Sequence, residues 1–264
     1  MRKLILLAVL TAASLFPLTM LAQSNFNGTW KVDLQSAQFP KKPDVFLLQN
    51  GTYECKSCVP PISVKADGQD HKVTGHPYYD TVSIKVIDSN TLEETDKRGG
   101  KTVAVSRLTV SADGKTLQVN FTDSTNTNAD PVTGEATATR VEAGPAGSHA
   151  ISGSWRTTKL ENISANGVTF TLKVEGDTVH MTTPTGQSYT ANLDGADAPY
   201  NGDPGTTSVS VKRIDKSTIE ETDKRDGKPI SVARMTVSPD GKTLNFVVHD
   251  LLRDTTSRAS ASKQ

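Results

Sequence analysis

One stretch of the chain occurs twice. Residues 82–123 read VSIKVIDSNTLEETDKRGGKTVAVSRLTVSADGKTLQVNFTD, and residues 209–250 read VSVKRIDKSTIEETDKRDGKPISVARMTVSPDGKTLNFVVHD. The two stretches align without a gap at an offset of 127 residues, and 25 of the 42 positions are identical. Internal similarity at a fixed offset indicates a duplicated structural unit, so the fold of the chain is expected to be one unit built twice.

Each repeat is predicted to consist of β-strands joined by tight turns. Val82, Ile84 and Val86 alternate with polar residues, which is the period of a strand with one buried face. Dipeptides that tolerate a positive φ recur between such segments, at Asn50-Gly51, Asp67-Gly68, Gly99-Gly100, Asp113-Gly114, Asp226-Gly227 and Asp240-Gly241. We therefore expect an all-β fold of two tandem antiparallel barrels, with about eight or nine strands per repeat.

The similarity between the repeats extends to their first residues and sets the expected boundaries. Gly28-Thr29-Trp30 in the first repeat matches Gly153-Ser154-Trp155 in the second. The first repeat is placed at residues 23–141 and the second at residues 151–259. Residues 142–150 are rich in Gly, Ala and Pro and are interpreted as a linker, and residues 260–264 are interpreted as a disordered tail.

The first 22 residues have the pattern of a secretory signal peptide. Arg2 and Lys3 give a basic start, a predominantly apolar run extends from Leu4 to Leu21, and Ala22 is a small residue at the expected cleavage site. The protein is therefore predicted to be exported, to the periplasm or outside the cell. No later stretch approaches the ~20 apolar residues that a membrane-spanning helix needs.

The charge balance argues against several classes of partner. The chain has 29 basic and 29 acidic side chains, and removal of Arg2 and Lys3 leaves 27 against 29, a net charge near −2. A nucleic-acid-binding protein would need a basic face, so nucleic acid is not an expected partner. No motif predicts a cofactor, and the sequence does not indicate an oligomeric state.

The Gly-x-Trp motif at the start of each repeat resembles the opening motif of the lipocalin superfamily. In that superfamily the Trp closes one end of an eight-stranded barrel and packs against an Arg from the last strand. The resemblance implies that Trp30 and Trp155 are barrel-closing residues, with Arg140 and Arg258 as the candidate Arg partners. The turns at residues 113–117 and 240–244, both DGKTL, are similar to those of uncharacterised bacterial exported lipocalin-like proteins. Such barrels often hold small apolar ligands.

The only two cysteines, Cys55 and Cys58, are followed by His71 and His76 with the spacing C-x2-C-x12-H-x4-H. Pro60-Pro61 argues against the helix that a zinc finger needs. A disulfide between the cysteines is the favoured interpretation, because exported thiols are normally oxidised. A tetrahedral zinc site made by all four side chains and a redox-active Cys-x-x-Cys remain as alternatives.

A charged segment recurs unchanged, as EETDKR at residues 93–98 and 220–225. If a two-residue loop follows the segment, Glu94 shares a face with Arg107 on the next strand. The functional interpretation is that Arg107 and Arg234 lie inside the barrels and pair with a ligand carboxylate. The alternative is a cross-strand ion pair on a solvated face.

Loop aromatic residues complete the candidate binding site. Tyr79 and Tyr200 lie in equivalent loops, where they could bind a ligand at a barrel mouth or pack over the barrel end. Glu94 and Asp96 could serve as a glycosidase carboxylate pair, but no substrate cleft is indicated. We therefore predict a non-enzymatic binding protein for a small apolar or amphipathic ligand. The alternatives are an envelope structural or interaction module, and a metal-binding or redox role at the Cys and His residues.

Overall fold

The computed structural model describes residues 24–126 and 129–264, and the regular secondary structure of this part of the chain is almost entirely β-strand. The strands encoded by the first repeat are β1 (Gly28–Gln38), β2 (Asp44–Gln49), β3 (Thr52–Cys55), β4 (Ile62–Lys65), β5 (His71–Lys72), β6 (Thr81–Val86), β7 (Thr91–Arg98), β8 (Lys101–Val110), β9 (Thr116–Asp123) and β10 (Val132–Ala143). Those of the second are β11 (Gly153–Glu161), β12 (Thr169–Glu175), β13 (Thr178–Thr182), β14 (Ser188–Asn192), β15 (Asp194–Asn201), β16 (Ser208–Arg213), β17 (Thr218–Arg225), β18 (Lys228–Val237), β19 (Thr243–Asp250) and β20 (Thr255–Lys263). A short 3-10 helix, Ala165–Gly167, lies between β11 and β12.

The strands form two antiparallel barrels of ten strands each. The second barrel is closed in the order β1-β12-β13-β14-β15-β16-β17-β18-β19-β20, with β1 paired to β20. The first barrel has the order β4-β3-β2-β11-β10-β9-β8-β7-β6-β5 and is nearly closed. The prediction of an all-β fold with two barrels is confirmed. The expected count of eight or nine strands is too low, because strands as short as β5 show no alternating pattern in sequence.

The boundaries of the barrels differ from those of the repeats. Strand β1 begins the first repeat but lies in the second barrel, between β12 and β20, and β11 begins the second repeat but lies in the first barrel, between β2 and β10. The first barrel is therefore residues 44–161, and the second combines residues 28–38 with residues 169–263. The predicted linker, residues 142–150, instead begins within β10, and its remaining residues connect β10 to its paired strand β11 in the first barrel.

The sequence predicted a signal peptide at one end of the chain and a disordered tail at the other. The predicted signal peptide, residues 1–22, lies outside the described residues. The prediction of a disordered tail at residues 260–264 is wrong, because β20 extends to Lys263 and Ala261 is buried in the core. The Ser/Ala composition gave no strand signal, and the partner that orders it, β1, comes from the other end of the chain. No helix in the described residues is long and apolar enough to cross a membrane.

A buried tryptophan lies in the core of each barrel. Trp155 belongs to the core of the first barrel, and Trp30 belongs to that of the second. Each indole Nε1 donates a hydrogen bond to the backbone carbonyl four residues earlier, over 2.8 Å from Trp155 to Ile151 and 2.9 Å from Trp30 to Phe26. The shared Gly-x-Trp motif therefore produces the same local geometry in both barrels.

Arg140 on β10 packs over Trp155, the tryptophan of the second repeat. Its guanidinium carbon lies 3.9 Å from the ring centroid of Trp155, directly across the β10–β11 pair. The guanidinium also donates hydrogen bonds to the backbone carbonyls of Ala150 and Ser152, both at 2.7 Å, and to that of Gly114. Arg140 thus packs on a tryptophan. Because β11 lies in the first barrel and β1 lies in the second, that tryptophan is Trp155 and not Trp30.

A lysine takes the corresponding place in the second barrel. Lys263 lies opposite Trp30 in the β1–β20 pair, with its ammonium 4.8 Å from the indole centroid. Its Nζ donates a hydrogen bond of 2.8 Å to the carbonyl of Asn25. Arg258, the residue expected from the sequence, lies opposite Gln38 instead. The second barrel therefore has a shorter cationic side chain on its tryptophan, supplied five residues further along the chain than Arg258.

Candidate functional site

Arg107 and Arg234 lie on the outside of the barrels. The pairing of β7 with β8 contains a register shift next to Asp96, so that Glu93, not Leu92, lies opposite Arg107. One extra residue in a strand reverses which side chains face the interior. A matching shift places Arg234 opposite Glu220, and both arginines are exposed. The prediction that these arginines face a ligand inside the barrels is wrong, because it assumed pairing without the bulge.

Acidic side chains occupy the interior positions instead. Glu94 and Asp96 on β7 face into the first barrel, and Glu221 and Asp223 on β17 face into the second. Alternate residues of a strand share one face, so each pair lies side by side on its barrel wall. All four residues belong to the recurring EETDKR segment, but the sequence indicated only Glu94 and Asp96 as a possible functional pair, that of a glycosidase.

A tyrosine hydroxyl contacts one acid of each pair. Tyr53 Oη donates to Glu94 Oε2 at 3.4 Å, and Tyr189 Oη donates to Glu221 Oε2. Tyr53 is on β3, whereas Tyr189 is on β14, the strand of the second barrel that corresponds to β4. The two tyrosines therefore occupy different positions in the two repeats, and alignment of the repeats does not reveal them.

Burial raises the pKa of all four interior carboxyls. The pKa of Glu94 is raised to about 7, and that of Asp96 to about 8, by loss of hydration and, for Asp96, by the neighbouring Glu94 charge. Loss of hydration, followed by the charge of Asp223, raises the pKa of Glu221 to about 8, and burial raises that of Asp223 as well. Near neutral pH these groups retain protons that exposed carboxyls have lost.

A cavity of about 760 Å³, here called the inter-barrel cavity, is lined by residues of both barrels. Most of its wall comes from apolar side chains of the second barrel, including Val32, Phe170, Leu172, Met181, Met235 and Phe246. The rings of Phe170 and Phe246 pack edge to face, with centroids 5.7 Å apart. The apolar wall therefore belongs to one barrel, and the other barrel contributes mainly polar side chains.

The two tyrosines predicted to bind a ligand, Tyr79 and Tyr200, both line the inter-barrel cavity. The neighbouring Tyr78 crosses from the first barrel to the second, where its Oη donates to Asp203 Oδ1 at 3.2 Å. A Cβ at Gly205 would lie 2.2 Å from that Oη, so this close approach requires glycine. Tyr79 lies in the loop before β6 as predicted, whereas Tyr200 lies on β15 and not in a loop. The contact between Tyr78 and Asp203 joins the two barrels at the cavity.

The ionisable groups that line the inter-barrel cavity are acidic. Five carboxyl side chains contribute to its surface, namely Asp96, Asp123, Asp130, Asp203 and Glu221. No lysine, arginine or histidine is found among the described residues that line it. The cavity therefore combines a hydrocarbon surface with negative charge, the opposite of the polarity expected from an interior arginine.

Cys55 and Cys58 form a disulfide, with Cα atoms 5.4 Å apart. Since the two sulfurs are bonded to each other, they are not free to bind zinc. His71 Nε2 instead lies 2.8 Å from Asp67 Oδ1, and the His76 ring stacks on Tyr79 at 4.8 Å between centroids. The zinc alternative is therefore wrong.

Reduction of the disulfide is expected to lower the free energy of unfolding by about 2 kcal/mol. The cysteines are only three residues apart, so the bond restricts the unfolded chain less than a long-range disulfide would. Urea unfolding with and without a phosphine reductant measures the difference. The double variant Cys55→Ala, Cys58→Ala serves as the control and should not respond to the reductant. Equal stability of the wild-type protein in both conditions would contradict the prediction.

Comparison of the chain with family models, with curated proteins and with solved structures found no match. The relationship to exported lipocalin-like proteins therefore stays a prediction from the Gly-x-Trp motif and the repeated turns.

Proposed function

We propose that this protein is a non-enzymatic binding protein that holds a small apolar or amphipathic ligand in the inter-barrel cavity. The cavity is the observation that carries this proposal. Its volume of about 760 Å³ lies within the range of small-molecule sites, roughly 300–1,000 Å³. Such sites are mainly apolar with a few polar groups, and the phenylalanine, methionine and tyrosine side chains with the neighbouring carboxyls fit that description.

Two features support action outside the cytoplasm. The predicted signal peptide would direct the chain through the export pathway. The Cys55–Cys58 disulfide is typical of a protein from an oxidising compartment. A periplasmic or secreted lipocalin-like binding protein is consistent with both features.

The acidic pairs do not favour a hydrolase. A glycosidase uses one ionised carboxylate and one protonated carboxyl, placed on either side of the scissile bond. In Glu221 and Asp223 the two carboxyls lie on one strand, and burial raises the pKa of both. A structural or interaction module would have no need of a cavity lined by Phe170 and Phe246, so the cavity favours binding over that alternative.

Replacement of Ala233 by tryptophan is expected to abolish ligand binding. Ala233 lines the inter-barrel cavity, and an indole at this position would fill part of it. Nile red, a neutral apolar dye that brightens when removed from water, reports on occupancy. We expect the wild-type protein to bind the dye and Ala233→Trp to bind it at least about tenfold more weakly, the loss of about 1.4 kcal/mol or more.

The next residue provides a matched control. Arg234 is exposed on the outer face of the same strand, so Arg234→Trp adds the same side chain without entering the cavity. This variant should bind the dye as the wild-type protein does. Far-ultraviolet circular dichroism establishes that both variants are folded. Undiminished dye binding by a folded Ala233→Trp variant would remove the inter-barrel cavity as the binding site.

A further inference from the structure

The inter-barrel cavity lacks a cationic partner for its acids. Glu221 and Asp96 line it from different barrels, and the described residues of its wall include no lysine, arginine or histidine. The arginines expected inside, Arg107 and Arg234, are on the outer surface. Arg225 is near the junction of the barrels, where its Nε donates to the carbonyl of Gly205 at 2.7 Å and its charge acts on Tyr78, but it does not line the cavity. The described wall of the cavity therefore has carboxyl side chains and no cationic side chain.

One carboxyl oxygen of Asp96 has no hydrogen-bond donor among the described residues. Its Oδ1 atom is buried and has no hydrogen-bond partner among the described residues, and the same is true of Asp223 Oδ1 in the second barrel, but of the two side chains only Asp96 lines the inter-barrel cavity. Buried polar atoms are nearly always paired, so Asp96 Oδ1 lacks a donor. Rotation of the carboxyl toward the cavity would let the N–H group of a ligand supply that donor.

We infer that the inter-barrel cavity binds an amphipathic amine, whose ammonium group is held by carboxyl side chains of the cavity wall and whose hydrocarbon part lies against the apolar wall of the second barrel. This inference rests on the proposed function and names the ligand class of the same site. Tyr79 and Tyr200 line the cavity as well, and their rings can stabilise a cation by cation–π interaction. A fatty acid is disfavoured, because its carboxylate would face several carboxyls and no cationic side chain on the described wall of the cavity.

The surroundings of Glu221 predict how amine binding responds to pH. The titratable groups that face it are Asp223 on the same strand, Tyr189 on β14 and Tyr200 on β15, and Asp203 acts on Tyr200. None of these groups is cationic, so ionised Glu221 has no internal counter-ion. The affinity for an amine should therefore increase as the pH rises from 6 to 8.5 and Glu221 loses its proton.

The environment of Asp96 acts in the same direction. Glu94 lies beside it on β7, Tyr79 faces it from the loop before β6, and Asp123 approaches from β9. All three groups are acidic or neutral. Binding of an ammonium group would favour the ionised form of Asp96, as it would that of Glu221.

Three probes of equal chain length test the inference on the full protein by isothermal titration calorimetry. Octylamine stays cationic below about pH 10, as a lysine side chain does, whereas octanol is neutral and octanoate is anionic. At pH 8 we expect octylamine to bind at least tenfold more tightly than octanol, and octanoate to bind more weakly than either. The octylamine affinity should also increase between pH 6 and pH 8.5, and the octanol affinity should not.

Substitution of single carboxyls identifies the residues responsible. Glu221→Gln should lower the octylamine affinity at least tenfold and reduce its pH dependence, and it should leave octanol binding unchanged. Asp96→Asn should lower the octylamine affinity as well. The matched control is Glu220→Gln, which makes the same chemical change on the outer face of the same strand, opposite Arg234. This control should leave the affinity for all three probes unchanged.

The outcomes separate the inference from the proposal on which it rests. If octanol or octanoate binds as tightly as octylamine, the amine inference is overturned while the binding function stands. The inference also fails if Glu221→Gln and Asp96→Asn both keep the full preference for octylamine. If none of the three probes binds to the wild-type protein, the inference and the proposed function fall together.

Discussion

Replacement of Glu221 by glutamine is expected to stabilise the protein at pH 8 and to change little at pH 5. In the folded protein burial raises the pKa of Glu221 to about 8 from its ordinary value of 4.5. Between these two values the folded state holds a proton that the unfolded state has lost, so stability falls as the pH rises. A glutamine is neutral in both states and removes this loss. We expect a gain of about 2–4 kcal/mol at pH 8, from about 1.4 kcal/mol per pH unit.

Urea unfolding at pH 5, 6, 7 and 8 measures this effect, with Glu220→Gln on the outer face as the control. The pH profile of the control should follow that of the wild-type protein. Hydrogen bonds lower the pKa of exposed aspartates such as Asp113 and Asp240, but their stabilisation is lost only in more acidic solution. Burial lowers the pKa of His76, which opposes the trend near pH 6, so the difference between variant and wild type is the decisive quantity. No gain at pH 8 would contradict the prediction.

Replacement of Arg140 by alanine is expected to destabilise the protein by about 3 kcal/mol. The change removes the guanidinium from the face of Trp155 and leaves the carbonyls of Gly114, Ala150 and Ser152 without their donor. A polar group left unpaired costs about 1–3 kcal/mol when it is buried, and partial access to water reduces this at the half-buried Arg140.

The second barrel, which has a lysine on its tryptophan, suggests Arg140→Lys as a variant to compare with Arg140→Ala. Lys263 holds the corresponding place above Trp30, so Arg140→Lys should keep a cation on Trp155 and lose less stability than Arg140→Ala. Arg107→Ala, at an exposed position of β8, should change the free energy of unfolding by less than about 0.5 kcal/mol. Chemical denaturation of the three variants measures the order. Equal losses for Arg140→Lys and Arg140→Ala would show that stacking and hydrogen bonding by the cation contribute little.

Local sequence signals predicted the strands and turns correctly, because those signals depend on near neighbours. The alternation at Val82, Ile84 and Val86 and the turn at Asp113-Gly114 are properties of a few adjacent residues. The strands that pair with β1, in contrast, are far from it in the sequence. The strands around Trp30 and Trp155 share the Gly-x-Trp motif and the same indole hydrogen bond, so the motif alone does not show which barrel each strand joins.

The candidate site was predicted in part, for similar reasons. Tyr79 and Tyr200 were identified as loop aromatics, and both line the inter-barrel cavity. Arg107 was placed on the wrong face, because a single bulged residue inverts a strand and leaves no clear mark in the sequence. The acidic character of the cavity depends on side chains from both barrels, so it becomes visible only when the barrels are assembled.

The position of β1 has a consequence for the order of folding. All strands of the first barrel lie within residues 44–161, so this barrel can form as soon as these residues have emerged, while the rest of the chain is still emerging. Strand β1 can pair with β12 at residues 169–172, but its other edge must wait for β20, where Trp30 pairs with Lys263. Until then that edge of β1 is unpaired and can pair with another chain. We expect the closure of the second barrel to be the last and slowest step, because it joins residues 28–38 to residues 255–263.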